Sequence, residues 1–323
     1  MAVEIRKPGL LCSVQDHGRT GNYHLGIPPA GAMDQIAYRS ANLLVGNPET
    51  AAALECALIG PELVSTVDTH IAVTGAEIPV TVDGEPQPTN TAISLPAGKV
   101  LACGFATAGA RAYIAVAGGI DVPERLGSRS TYALGGLGGH NGRPLRPGDV
   151  LDIGTPGTVV TGRTLEANLR SRLAKSYELR VVTGLYDHLV KPDSLAGFFA
   201  DTWKVASESD RIGYRFNGGS PLQYVDRTPP FGAGSDPSNI VDAPYPIGSI
   251  QVPGGTQPIV LHRDAVSAGG YMTLGTVISA DMDLLGQMAP HTEVQFVQVT
   301  MDDALRARHD RAGRLQAIRD ALA

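Results

Sequence analysis

A chain of 323 residues with 43% hydrophobic and 18% charged side chains has the makings of an ordinary globular protein, and its length favours two lobes. A net charge of -6 gives no electrostatic reason to expect nucleic acid or an anionic membrane as partner. The 39 glycines and 23 prolines are spread along the chain, which signals many turns and no single disordered tract.

Charge and glycine come too early at the N-terminus for the apolar core of a signal peptide, and no apolar run approaches the ~20 residues that span a bilayer. Cys12, Cys56 and Cys103 form no CxxC pair, so each is expected as a small core residue in a reduced, cytoplasmic setting. In chain order, Asp34 caps a predicted helix over 35–45 that Gly46-Asn47-Pro48 ends. Short apolar or alternating runs at 63–67, 71–73, 78–82, 100–105, 112–117 and 150–153 predict strands, with a turn at Asp83-Gly84. The polar stretch 165–175 predicts an exposed helix between lobes. Strands follow at 179–182 and 259–262, with a turn at Gly254-Gly255 before the second, then a short helix over 280–288 and a strand at 294–299. The longest helix is predicted over 302–323, where Asp302 and Asp303 suit the dipole and Leu305, Ala312, Leu315, Ile318 and Leu322 make a broken apolar stripe. The pattern is mainly β with few helices: an N-terminal β lobe over 1–165, a C-terminal β lobe over 166–300 and a terminal helix over 301–323.

Four turn-rich segments hold the polar side chains suited to chemistry. Residues 14–35 gather Gln15, Asp16, Arg19 and Asp34 between glycines; Asp16 with Arg19 can stiffen a site, while Asp34 reads equally as a helix cap. Residues 128–149 carry Gly135-Gly136-Leu137-Gly138-Gly139, whose bare N–H groups could cradle an anion, flanked by Arg129 and Arg143. The alternative there is a crossover loop with solvated arginines. Residues 231–255 offer Asp236, Ser238, Asn239 and Asp242 to an amide-like group, although Asp-Pro-Ser-Asn is also ordinary turn chemistry. Residues 261–281 place Asp264 after a strand and Tyr271 after Gly269-Gly270. No HExxH, paired CxxC, DxDxDG or GxSxG motif is present, and no Ala-Met-Lys-Met tetrapeptide, so any biotin must ride on another chain.

The motifs VQDHGR-x-G at 14–21, GIPPAGAMD at 26–34, ANLLVGNP at 41–48, AVAGGIDVP at 115–123, LGSRSTY at 126–132, GGLGGHNGRPLRPGD at 135–149 and SDRIGYRFNG at 209–218 occur in one order. With GSIQVPGGTQPIVL and DAVSAGGY they resemble the family of allophanate hydrolase subunit 2, the 5-oxoprolinase C-subunit and the urea-carboxylase carboxyltransferase, over nearly the whole chain. The resemblance implies two cyclophilin-like β-barrel lobes and a partner of the allophanate-hydrolase-subunit-1 type in a heterotetramer or larger assembly. It implies an ATP-linked enzyme acting on a C–N amide bond, by carboxyl transfer or lactam opening, with ATP or carboxybiotin supplied by the partner and nothing bound covalently here. Asp236 stands where the urea-carboxylase branch usually has histidine, and Met272 where proline is common in the 5-oxoprolinase branch. On this reading Asp16, Arg19 and Asp264 are the catalytic candidates, and Gln15, Asp236, Ser238, Asn239, Tyr271, Arg129 and Arg143 the substrate-binding ones, with no metal site. One branch is linked to antagonism of a kinase inhibitor, so a non-catalytic regulatory binding module is the second reading.

Overall fold

The computed structural model describes residues 1–323. Short strands run throughout, with four α-helices: Gln35–Leu44 (α1), Pro192–Ala200 (α2), Met282–Gly286 (α3) and Met301–Ala321 (α4). The protein is mainly β, as its turn-rich pattern predicts. No helix is long and apolar enough to cross a membrane. The chain forms two compact units. Unit 1 gathers Met1–Thr20, Ala30–Leu173 and Ala312–Ala323, and unit 2 gathers Gly21–Pro29 and Ala174–Arg311.

In unit 1 the strands stand as two facing sheets. The six-stranded sheet runs Val150–Asp152, Ala2–Lys7, Glu62–Ser65, Val100–Cys103, Val80–Val82, Glu85–Gln87. The five-stranded sheet runs Ser13–Gln15, Ala53–Ala57, Ala108–Val116, Thr69–Glu77, Ile93–Leu95. Alternation decides which face is inside: Val3 and Ile5 are buried while Glu4 and Arg6 turn outward. Val3, Ile5, Leu63 and Leu101 meet Leu54, Ile71, Val73 and Ile114 in one core. The outer face of the second sheet is covered as well. Tyr113 and Ala115 pack against Ile36, Tyr38 and Leu44 of α1 and against Ile318 and Leu322 at the chain's end. Asp34 caps α1 as its sequence position predicts, accepting from Ala37 N at 2.9 Å. Asp83 and Gly84 take φ of 49° and 86°, the left-handed pair that a two-residue hairpin between Val80–Val82 and Glu85–Gln87 requires.

Unit 2 is a closed barrel of seven strands in the order Ser176–Thr183, Thr273–Val277, Ser249–Gln251, Ile259–Leu261, Gly213–Asn217, Trp203–Val205, Glu293–Gln298. Leu179, Val181, Phe216, Ile250, Val260, Leu274 and Phe296 are fully buried. The aromatic Phe198 of α2 stacks on Phe296 at 4.8 Å and lies 5.4 Å from Trp203, whose indole N–H donates to the Phe198 carbonyl at 3.0 Å. A two-stranded ribbon, Asn239–Pro244 with Ala268–Tyr271, forms a sheet of its own.

One local expectation is corrected. The helix predicted over 165–175 is one 3-10 turn, Ala167–Leu169. The carbonyls of Leu169 and Arg170 accept from the Arg314 side chain, and the side-chain hydroxyl of Ser171 donates to Asp34 at 2.7 Å. Conversely, the sequence pattern does not predict α2, although Pro192 at its first turn and the apolar Leu195, Phe198 and Phe199 mark it.

Candidate functional site

Gln15, Asp16 and Arg19 lie together in unit 1, where they join two loops. The buried Asp16 carboxylate accepts from Gly18 N at 2.8 Å, from Arg129 N and the Ser128 hydroxyl at 2.6 Å each, and from the Ser130 hydroxyl. Its own N–H donates to Ser130 Oγ at 2.9 Å. Arg19 donates to the carbonyls of Ser130 and Arg125. Gln15 Nε2 donates to Thr131 O at 3.1 Å, while its Oε1 accepts from Gly31 N at 3.1 Å. These side chains take up buried backbone groups that no strand serves.

The glycine-rich loop packs on the same framework. A Cβ on Gly138 would stand 2.1 Å from Ser130 O, and one on Gly139 1.9 Å from Thr131 Oγ1. The N–H groups of Gly136, Leu137, Gly139 and Gly142 donate to Ala133, Tyr132, Arg129 and Gly138 carbonyls. The loop therefore does not present the open row of N–H groups that a phosphate needs. Both flanking arginines are engaged by the chain's own acids. Arg143 forks onto Asp149 with two bonds of 2.8 Å, which holds the Asp149 carboxyl down at about 2. Arg129 pairs with Glu124 at 2.6 Å and Asp121 at 3.2 Å.

The second group is in unit 2. Asp236 Oδ1 accepts the N–H and hydroxyl of Ser238 at 2.8 and 2.6 Å, leaving Oδ2 of that carboxylate. Ser238 is buried, and its Oγ also accepts from Gly254 N at 3.2 Å. Asn239 donates from Nδ2 to Ala233 O at 2.8 Å, and its Oδ1 is buried with no hydrogen-bond partner. Asn239 stands opposite the half-exposed Tyr271 across the ribbon. Asp264 is elsewhere occupied: it is buried and bidentate to Arg211 at 2.9 and 3.0 Å.

Sequence reasoning missed the tyrosines that hold this group. Tyr245 donates its hydroxyl to Tyr271 O at 2.8 Å and accepts from Tyr271 N at 2.7 Å. Its ring fills the space beside Gly269, where a Cβ would come within 2.9 Å. Tyr224 donates to Val252 O at 2.6 Å; burial, reinforced by the Asp236 charge, pushes its phenol up. The signal in the sequence is a tyrosine set between prolines in Ala-Pro-Tyr-Pro, a segment with little freedom to move away.

Residues 25–298 match the family model described as carboxyltransferase domain, subdomain A and B. Urea amidolyase of Lachancea kluyveri is 35% identical over 99% of this chain, which spans 18% of that relative. The C-subunit of 5-oxoprolinase from Escherichia coli K12 is 37% identical over 95% of this chain and 94% of its own length. The crystal structure of the K. lactis urea amidolyase has a TM-score of 0.92 at 35% identity, covering 98% of this chain and 20% of that one. The chain thus corresponds to about a fifth of the urea amidolyases it matches. With the family model matched over most of its length, the chain belongs to the carboxyltransferase domain, subdomain A and B, family.

Proposed function

We propose that the chain is one component of an ATP-linked amide-processing enzyme, works with a subunit-1-type partner, and receives a small amide or lactam at the Asp236–Ser238–Asn239 loop of unit 2. Urea, allophanate and 5-oxoproline share a planar carbonyl with N–H beside it. Asn239 supports the reading most directly. A buried amide oxygen left without a donor costs roughly 1–3 kcal/mol, and a substrate N–H is the donor that relieves it. Asp236 Oδ2 offers a second acceptor close by in sequence, and Ser238 holds the carboxylate still. Tyr271, fixed by Tyr245, lines the ribbon opposite Asn239.

In this reading Asp16, Arg19 and Asp264 are positioning residues, because every one of them is taken up by backbone groups or by a partner charge. The glycine-rich loop has the N–H groups of Gly136, Leu137, Gly139 and Gly142 already bonded within the chain and offers no open row to a nucleotide phosphate, and in this reading ATP or carboxybiotin is supplied by the partner. The relatives support a component and not a free-standing enzyme. One is named a subunit and matches end to end, and the other carries the same region inside a much longer chain. The test is calorimetric titration of urea and of 5-oxoproline into the partner complex. Binding of either, weakened about 10-fold or more by Asn239→Ala, supports the assignment; binding that ignores Asn239→Ala overturns it.

A further inference from the structure

Three thiols are buried in the core of unit 1 and none is used by the site described above. Cys103 ends a strand of the six-stranded sheet, whereas Cys56 lies on Ala53–Ala57 of the five-stranded one and Cys12 immediately precedes Ser13–Gln15. Ser13 pairs with Glu55 and Val14 with Leu54, so the same antiparallel register sets Cys12 opposite Cys56. Cross-strand neighbours have Cα atoms about 4.5–5.5 Å apart, inside the roughly 4.4–6.8 Å that a disulfide tolerates. The two Sγ atoms are 2.6 Å apart, and a disulfide needs about 2.05 Å.

We propose that Cys12 and Cys56 are an oxidation site: a low-molecular-weight disulfide converts them to a cross-strand disulfide and leaves Cys103 reduced. One cysteine thiolate attacks the small disulfide, forming a mixed disulfide and expelling one small thiolate. The second cysteine attacks the protein sulfur of that mixed disulfide and expels the other. The pair loses two electrons and two protons, and the small disulfide becomes two thiols.

Access comes from the edge of the sheet. Ser13–Gln15 is one of its two edge strands. The segment before it is held by Leu10 N to Ile59 O at 3.0 Å, Ala57 N to Leu10 O at 3.1 Å and Leu145 N to Cys12 O at 2.8 Å. Leu11 within it has a φ of 51°, a conformation that costs a branched side chain, and both Leu10 and Leu11 are exposed. Opening these few bonds frees Cys12. Burial pushes the Cys56 thiol well up, so the reaction is slow at neutral pH and faster in mild alkali. The bond would fasten the edge strand carrying Gln15, and Asp16 just beyond it, to its neighbour.

The test treats the full folded chain with oxidised glutathione at neutral and mildly alkaline pH, quenches with acid, alkylates in denaturant and maps peptides without reductant. The expected result is a Cys12–Cys56 linked peptide pair, with alkylatable thiols falling from three to one and that one being Cys103. Cys103→Ala retains the link. Three alkylatable thiols after a treatment that oxidises a denatured sample overturn the proposal. So do a link through Cys103, a stable glutathione adduct without the internal bond, or linked chain dimers.

Discussion

The carboxylate of Asp16 collects N–H groups from Gly18 and Arg129 and the hydroxyls of Ser128 and Ser130, four donors that no other group serves in its place. Asp16→Ala leaves them buried and unpaired, and chemical denaturation is expected to show a loss of roughly 3 kcal/mol or more. Asn239 behaves differently. Asn239→Ala removes an unsatisfied acceptor but also the bond from Nδ2 to Ala233 O, two effects of similar size and opposite sign, so stability is expected to change by no more than about 1 kcal/mol while affinity for the amide falls. Asp149 sets part of the acid limb. Its carboxyl is held down at about 2 chiefly by Arg143, so its contribution is present above the ordinary carboxylate value of ~3.9 and fades as pH falls through about 2. Asp149→Asn is expected to remove about 2 kcal/mol at neutral pH and to flatten stability between about pH 4 and 2, followed by denaturation at each pH. The sequence picked out Asp16, Arg19, Asp236 and Asn239 because they sit among glycines and prolines. It could not show that Asp264 is committed to Arg211, which is 53 positions away and reached only through the barrel's pairing.

Secondary-structure elements were legible where the deciding chemistry is local. Asp34 caps α1 through an oxygen three residues from its target, and Asp83-Gly84 makes its turn from its own backbone preferences. The stretch 165–175 forms only one 3-10 turn, and two of its carbonyls, those of Leu169 and Arg170, accept from Arg314, a side chain over a hundred residues later. α2 was hidden by its shortness and by Gly197, and is held by ring packing of Phe198 on Phe296. The end of α4 depends on its apolar stripe. Ile318 is fully buried beside α1, so Ile318→Ala is expected to lower stability by roughly 2–4 kcal/mol in a denaturant titration. Gly139→Ala tests the glycine-rich loop. The new methyl would meet Thr131 Oγ1 at 1.9 Å, and a loss above about 2 kcal/mol is expected, with protease sensitivity appearing between residues 133 and 142.

Across the whole chain, a single sequence supports two compact units, each with its own apolar interior: two facing sheets in one and a seven-stranded barrel in the other. Mainly β character could be read from the short β-branched runs. The assignment of Gly21–Pro29 to unit 2 could not, because nothing local distinguishes that loop from its neighbours on either side. The chain matches a protein named as a subunit over 94% of that protein's length, and the proposed function makes activity depend on a second protein. The direct measurement is ATP-dependent turnover of 5-oxoproline and of urea by this chain, by its subunit-1-type partner, and by the assembled complex. The expected result is turnover of one of these amides by the complex, none by this chain alone, and a loss of about 10-fold or more in kcat/KM with Asn239→Ala. An assembled complex that turns over neither amide, or one whose activity is unchanged when this chain is left out, would contradict it.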